Sequence, residues 1–333
     1  MLHVTPAAWA ATIGLILLLL AADLWMAARR PHAVGFREAV AQSAFYIGVA
    51  VAFGVVFGSI AGWGYGAEYF AGWVVEKSLS VDNLFVFVII MTTFAVPAEH
   101  QHKVLTFGIV AALILRAIFI VLGAALLAAF SVMFLLFGLL LIATGVQLFR
   151  HRDQDPSIED NAVVRFARRR MPFTDEYEGG RLFTRQNGRR LATPLFLVVL
   201  TIGSTDVLFA LDSIPAVFGV TEEPFIVFAA NAFALLGLRA LFFLVTGLLD
   251  RLVYLSTGLA LILTFIGAKL ILHFGHLQEK AIPEIATSTS LGVIVVVLTI
   301  TTIASLIKVR RDPGARAHAG TLRDPKDPRT AAS

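Results

Sequence analysis

The sequence predicts an all-α polytopic membrane protein with about nine transmembrane helices. The chain has 333 residues, of which 58% are hydrophobic and only 15% are charged, and its mean hydropathy is +0.81. A soluble domain is nearer half apolar and about one-quarter charged. The apolar residues also fall into stretches of about 20, the length that a helix needs to cross the hydrocarbon core. Together these observations exclude an ordinary soluble fold.

Nine such stretches follow one another along the chain. They lie at residues 7–27, 39–60, 69–91, 103–124, 129–149, 193–213, 224–247, 253–273 and 288–307. The first resembles a secretory signal in length, but Asp23 and Arg29 near its end are typical of a helix that is retained. We therefore expect nine spans.

The connections differ in charge, which predicts the orientation. The segment from Arg150 to Arg190 holds ten Arg and seven Asp or Glu, whereas connections on the opposite side carry acids, among them Glu68, Glu222 and Glu223. Because basic connections stay in the cytoplasm, we expect the N-terminus outside and the C-terminus in the cytoplasm. The net charge of +4 then reflects these connections, and we expect the lipid bilayer, not nucleic acid, as a partner.

The long basic segment has two interpretations. We favour a solvated cytoplasmic loop that fixes the topology, and the alternative is a regulatory or partner-binding element. Within it, Gln186-Asn187-Gly188 predicts a tight hairpin turn. The tail after Arg310 is rich in Pro, Asp and Arg, and we expect it to be disordered.

An internal repeat organises the middle of the chain. Asp82 and Asp206 occupy matching runs, and the next intramembrane arginines, Arg116 and Arg239, follow them by 34 and 33 residues. Three spans therefore match the next three in inverted orientation, as in many secondary transporters. The predicted parts are residues 1–68 with two helices, 69–150 with the first three-helix repeat, 151–191 as the loop, 192–274 with the second repeat, and 275–333 with the last helix and the tail.

Carboxylates inside the predicted spans mark the candidate site. An ionisable group at the membrane centre costs about 2.5–3.5 kcal/mol on insertion scales, so several of them indicate an ion pathway. The expected metal ligands are Glu76, Asp82, Asn83, Asp206, Asp212 and Ser213. We expect Asp82 and Asp206 near the centre, with Glu76 and Asp212 about 9 Å nearer the outside. Such oxygen and amide ligands suit Mg²⁺, Ca²⁺ and Mn²⁺.

Basic residues in the spans allow a second interpretation. Arg116 and Arg239 are expected at mid-membrane, where a permanent charge must find an anion. For these arginines we favour buried ion pairs that fix helix packing, and for the acids we favour ion binding. Lys77 and Lys269 are expected closer to the outer surface, which their long side chains can reach.

The sequence also excludes several classes of function. It has no cysteine, which rules out disulfides, thiolate metal sites and thiol catalysis in this chain. Because no nucleotide loop, nucleophile triad or zinc-protease pattern stands in a supporting context, we expect no enzyme activity and no permanently bound cofactor. Whether the chain forms a homo-oligomer is left open.

Three runs of residues resemble the TerC family of integral membrane proteins, which is named for tellurium resistance. The runs are residues 76–83, 206–216 and 236–240. The resemblance implies a multi-pass protein of the cytoplasmic (inner) membrane in the LysE-like superfamily, with members that export manganese and others tied to tellurite resistance. It also implies that Glu76, Asp82, Asp206 and Asp212 are the family's intramembrane acids. The family usually has another acid where this chain has Gly203.

The expected function is therefore export of a divalent metal ion, Mn²⁺ above others, through carboxylates at the repeat interface. Moving a divalent cation out of an inside-negative cell costs about 4.6 kcal/mol per 100 mV, and proton antiport through the same acids would supply the coupling. The alternative is a non-transporting membrane partner or scaffold protein, acting in tellurite or envelope stress resistance or in membrane-protein assembly.

Overall fold

The computed structural model describes residues 2, 4–29, 36–150, 162–174, 177–178, 180–186, 189–248 and 253–311. In these ranges the chain is helical except for one short antiparallel hairpin. The elements are α1 (Pro6–Arg29), α2 (Phe36–Ala61), α3 (Trp63–Thr93), α4 (Ala98–Ala129), α5 (Val132–Arg150), α6 (Ala162–Arg170), β1 (Phe183–Gln186), β2 (Arg189–Ala192), α7 (Pro194–Phe218), α8 (Pro224–Leu235), α9 (Leu238–Leu248), α10 (Leu255–Gln278) and α11 (Thr287–Arg311). The predicted disordered tail lies outside the described residues beyond Arg311.

The helices confirm an all-α membrane protein with seven to eight candidate spans. Within the described residues, seven helices are long and apolar enough to cross a membrane, and the bent pair α8–α9 makes an eighth if it counts as one span. The predicted span that is not among them is α3, which is long enough at 31 residues but carries more charge than the other long helices. Every stretch of α3 that could span the core contains Glu76 and Lys77 together with Glu68 or Asp82.

The outer surface of the bundle is apolar, as lipid contact requires. Large side chains such as Leu18, Ile60 and Val121 are 67%, 81% and 68% exposed. The buried core, in contrast, lies where α3, α4, α7, α8 and α10 meet. A soluble protein rarely exposes so much contiguous apolar area, so these faces are best explained by contact with acyl chains.

Helices α5 and α10 form an antiparallel pair with unusually close backbones. A Cβ atom built at Gly138 would lie 2.8 Å from the carbonyl oxygen of Gly267, and one at Gly145 would lie 2.9 Å from that of Ala260. Small residues allow membrane helices to approach in this way, because lipid supplies no hydrophobic force that favours helix association. Larger residues at either glycine would separate the two helices.

The break between α8 and α9 bends the chain by 44°. It occurs at Leu236 and Gly237, where Gly237 adopts a positive φ of 76°. A Cβ atom at this position would also lie 2.7 Å from the ring of Tyr46. Both observations require glycine here. The break leaves backbone carbonyl groups without helical partners inside the bundle.

The basic segment between α5 and α7 contains ordered structure. Strands β1 and β2 pair with Gln186 opposite Arg189, which confirms the predicted hairpin, although its turn residues Asn187 and Gly188 lie outside the described part. Helix α6 packs on α7 through Ala167 and Leu197. The region is therefore more than a solvated connection.

Candidate functional site

A buried arginine lies at the centre of the candidate site. Arg116, on α4, is 1% exposed and reaches two other helices. Its Nη2 atom donates to Asp206 Oδ1 of α7 at 3.3 Å, and its Nη1 atom donates to Ser213 Oγ of the same helix at 3.4 Å. Nη1 also forms an ion pair with Glu76 Oε1 of α3. One guanidinium therefore joins α3, α4 and α7 in the interior.

Helical periodicity explains why these side chains meet. Asp206 and Ser213 are two turns apart on α7 and share one face, as the sequence predicts. Ser80 and Asn83 follow Glu76 by one and two turns on α3, so they lie on its face of that helix.

Some of these side chains enclose a small cavity. Its volume is about 10 Å³ and its polar lining consists of Ser80, Asn83, Arg116 and Asp206, which is close to the space that a single water-sized particle needs.

Several polar atoms of Arg116, of its two acidic partners and of the polar residues that line the cavity make no hydrogen bond to the described residues. They are Glu76 Oε2, Ser80 Oγ, Asn83 Nδ2, Arg116 Nε and Asp206 Oδ2. A buried polar atom without a partner costs about 1–3 kcal/mol, and more when it is charged. Such atoms are rare in native proteins. Their concentration here indicates a place where a polar ligand, water or an ion would be stabilised.

The structure brings two of the predicted acids to one cation. Glu76, expected nearer the outside, and Asp206, expected at the centre, both contact Arg116, because its long side chain reaches both. Asp212 faces α5 instead, where it accepts a hydrogen bond from Thr144 Oγ1 at 3.0 Å. The side chain of Asp82 lies outside the described part. Among the described residues, no three His, Asp or Glu side chains are arranged to hold a metal ion.

The second intramembrane arginine has a separate partner. Arg239 Nη2 donates to Asp23 Oδ1 of α1 at 2.8 Å, and both side chains are buried. The interpretation of the two arginines as members of buried ion pairs is therefore confirmed. Sequence reasoning missed Asp23 as a partner, although a carboxylate inside an apolar stretch was the signal that could have identified it.

Lys77 points into the protein and does not extend to the outer surface. Its Nζ atom donates to the carbonyl oxygens of Ala234 at 3.0 Å and Leu236 at 3.5 Å. These are carbonyls that the α8–α9 break removes from regular helical bonding. The prediction that Lys77 reaches outward was wrong, because the break offers interior acceptors that a continuous helix would have used itself.

A larger cavity lies at the predicted outer end. Its volume is about 470 Å³, and its charged and titratable lining residues are Glu68, Glu222, Glu223, Lys269, His273 and Glu284. There the two ring nitrogens of His273 contact Glu222 Oε1 at 3.0 Å and Glu284 Oε1 at 2.8 Å. The hydrogen bond from His273 lowers the pKa of Glu222, against the smaller opposing effect of burial. His273 therefore links α10 to the α7–α8 connection through Glu222 and to the α10–α11 connection through Glu284.

Comparison with known proteins decides the family. Residues 61–313 match the family described as "Integral membrane protein TerC family". The chain belongs to this family. The matched region contains α3, α4 and α7, and hence the side chains around Arg116. No solved structure matches the chain.

Relatives of this TerC-family chain occur in bacteria and plants. An uncharacterized membrane protein of Myxococcus xanthus is 44% identical over 320 residues, covering 95% of this chain and 97% of the relative. The "Thylakoid membrane protein TERC, chloroplastic" of Arabidopsis thaliana is 44% identical over 269 residues, covering 81% and 68%. The "Putative membrane-bound redox modulator Alx" of Escherichia coli (strain K12) is 38% identical over 312 residues, covering 89% and 93%. All three are named as membrane proteins.

Proposed function

We propose that this protein exports a hard divalent cation, Mn²⁺ above others, from the cytoplasm across the inner membrane. The observation that carries the proposal is the set of unpartnered polar atoms around Arg116, deep inside a bundle of membrane helices. Carboxylate, hydroxyl and amide oxygens favour Mg²⁺, Ca²⁺ and Mn²⁺ over softer ions. The preference for Mn²⁺ among these follows from the resemblance to manganese-exporting members of the family.

In this proposal Arg116 acts as a built-in counter-cation. Its guanidinium neutralises Glu76 and Asp206 when no metal ion is present, since two bare carboxylates would be costly to bury together. The arriving ion binds Asp206 Oδ2 and the neighbouring Ser80 hydroxyl. Asn83 contributes its amide oxygen after a half-turn of the amide group. Arg116 then keeps its contact with Glu76, so the guanidinium remains paired.

The proposal includes α3 as a ninth span. Its charged residues argue against a span only if they face lipid, and two of them have interior partners. Glu76 pairs with Arg116, and Lys77 donates to backbone carbonyls of α8 and the break. The inverted repeat belongs to the same proposal, with α3–α5 matching α7–α10. In this arrangement the site lies at the boundary of the repeats, where transporters of this architecture bind their substrates.

A second candidate function is a non-transporting partner or scaffold protein. It is favoured by the pairing of both intramembrane arginines, because ion pairs of this kind also serve only to fix helix packing. The name of the Escherichia coli relative, a putative redox modulator, fits a role of this kind in envelope stress. On this reading Glu76 and Asp206 hold the fold together and bind no ion.

Metal flux in proteoliposomes tests the proposal. Vesicles that contain purified protein and a trapped Mn²⁺ indicator should respond to added Mn²⁺, and Asp206→Asn should abolish the response. Thr144→Val is the matched control, because it changes a polar group on α5 that contacts Asp212 and not Arg116. Substituting Ca²⁺, Mg²⁺ or Zn²⁺ for Mn²⁺ would define the selectivity. Absence of flux of all four ions in wild-type vesicles would favour the scaffold function.

A further inference from the structure

The connection between α5 and α7 presents a basic surface next to the membrane. We call it the α6–hairpin surface, and it consists of α6, β1, β2 and the described residues that connect α6 to β1. Six of its arginines are exposed to solvent, and they are Arg165, Arg169, Arg170, Arg181, Arg185 and Arg190. Among its described residues and those that connect α6 to the hairpin, the carboxylate is Glu178, which accepts a hydrogen bond from Thr184. The surface is therefore strongly positive within the described part of the chain.

The same surface exposes apolar side chains. Phe166 of α6 is 61% exposed, and Met171 and Phe183 are each 36% exposed. An arginine lies over each of the two aromatic rings. Arg170 Cζ is 5.3 Å from the centroid of Phe166, and Arg190 Cζ is 5.5 Å from that of Phe183. Basic groups beside exposed aromatic rings are typical of segments that lie in the interfacial region of a membrane.

The position of α6 is fixed at the level where a span begins. Ala167 packs against Leu197, with Phe94 and Leu200 beside it. Leu197 and Leu200 lie in the first two turns of α7, within about 9 Å of its start, and Phe94 directly follows the end of α3. The α6–hairpin surface therefore lies beside the ends of two apolar helices, where lipid headgroups would be within reach of its arginines.

Further contacts hold the hairpin at the same level. Tyr177 donates its hydroxyl hydrogen to the carbonyl oxygen of Phe94 at 2.6 Å. The ring of Phe183 contacts that of Phe196 on the first turn of α7, with centroids 4.8 Å apart. The arginines are thus carried on an ordered element that packs against the ends of α3 and α7.

We propose that the α6–hairpin surface binds the headgroups of anionic lipids in the leaflet that α7 enters. The charge complements phosphate groups, the exposed rings suit the acyl boundary, and the surface lies beside the ends of two apolar helices. Each basic residue near an anionic membrane surface strengthens binding roughly fivefold. Removing three of the arginines should then reduce the lipid-bound population on the order of a hundredfold. This inference does not depend on which ion, if any, the protein transports.

A single fluorescent label tests the inference, because the chain has no cysteine of its own. Full-length protein carrying Met171→Cys is labelled with an environment-sensitive dye and reconstituted in vesicles of phosphatidylcholine, with or without phosphatidylglycerol. Quenching by acrylamide, which is uncharged and therefore not repelled by anionic lipid, reports the exposure of the label to water. We expect strong shielding only in the vesicles with phosphatidylglycerol, and loss of shielding in high salt, where the screening length falls to about 3 Å.

Two triple variants separate charge from folding. Changing Arg165, Arg169 and Arg170 together to Gln should abolish the shielding, whereas changing the same three residues to Lys should preserve it. The matched control replaces Lys308, Arg310 and Arg311 at the end of α11 with Gln and should leave the label unchanged. Equal shielding in pure phosphatidylcholine would overturn recognition of anionic headgroups. A label exposed to water in both vesicle types would show that the surface faces solution, as a protein-docking surface would.

Discussion

Replacing Asp206 by Asn distinguishes an ion-binding site from a packing ion pair. The Arg116 and Asp206 side chains are only 1% and 3% exposed and lie 3.3 Å apart. At an effective dielectric constant of about 20, the Coulomb attraction at this distance is about 5 kcal/mol. Removing one partner of a buried pair typically destabilises a protein by about 3–5 kcal/mol. Because Glu76 still contacts Arg116, we expect the loss for Asp206→Asn to lie at or below about 3 kcal/mol.

Removing the arginine should be more damaging than removing either acid. Arg116→Met leaves Glu76 and Asp206 buried together without a cation, so its loss should reach or exceed about 5 kcal/mol. Asp206→Asn, in contrast, should leave inserted protein that no longer exports Mn²⁺. A tenfold loss of ion affinity corresponds to only about 1.4 kcal/mol of binding free energy. Losing a carboxylate that directly binds a divalent ion should cost more binding free energy than this.

Asp23→Asn is the matched control. It also removes the buried carboxylate partner of an intramembrane arginine, Arg239, at 2.8 Å. It should cost similar stability and keep Mn²⁺ export per inserted molecule. The measurements are thermal unfolding in detergent and Mn²⁺ flux in proteoliposomes, normalised to the amount of protein. If Asp206→Asn transports as well per molecule as wild type, Asp206 is not a ligand and the reasoning fails.

Three further outcomes are expected. Gly203→Glu restores an acid one turn before Asp206 and should tighten Mn²⁺ binding, because a Cβ atom at Gly203 meets no atom within 4 Å. Cysteines replacing Arg185 and Lys280, both exposed, should react with an impermeant reagent only from the cytoplasm and only from outside, respectively. The pKa of Glu222 in the folded protein is below its ordinary value of 4.5. The ionised carboxylate therefore stabilises the fold fully at pH values above 4.5, and this stabilisation is lost as the pH falls through the lowered pKa. Glu222→Gln should therefore weaken the acid dependence of thermal unfolding.

Each of these outcomes has a clear contradiction. Unchanged Mn²⁺ affinity in well-expressed Gly203→Glu protein would place the ion away from Asp206. Labelling of both introduced cysteines from one side would refute the predicted orientation. An acid dependence that is identical in wild type and Glu222→Gln would mean that the contact with His273 contributes no measurable stability. Glu279→Gln, on the same predicted side but exposed, is the control for the pH experiment.

Hydropathy predicted most of the helices because lipid imposes a simple rule on length and composition. A helix that faces lipid must be apolar along its whole length, and this places α1, α2, α4, α5, α7, α10 and α11 near their predicted positions. The rule is less informative for helices in the interior. The charged residues of α3 made it a candidate for ion binding, and the same residues keep it from meeting the composition expected of a membrane span. The 44° bend between α8 and α9 could have been predicted only from Gly237, which is a weak signal in a membrane helix.

The individual residues of the site were easier to predict than their partners. Carboxylates in apolar stretches identify Glu76 and Asp206 without any structure. Their meeting at Arg116 depends on the rotation of α3 and α4 about their axes, which packing determines and periodicity alone does not. The same limitation applies to Asp212, which was expected at the level of Glu76 and whose contact with Thr144 periodicity alone does not predict. It also explains why Asp23, two hundred residues from Arg239 in sequence, was not recognised as its partner.

The backbone contact between α5 and α10 restricts how this protein can change shape. Where carbonyl oxygens already lie within 2.9 Å of a built Cβ position, sliding one helix along the other would create steric clashes before it opened a path. We therefore expect these two helices to move together as a rigid unit. The break at Gly237 is held differently, since Lys77 donates to the carbonyl oxygens of Ala234 and Leu236 there, and such hydrogen bonds can break and re-form. An opening motion would accordingly concentrate its torsional changes at this hinge, and crosslinking across it should arrest the protein in one conformation.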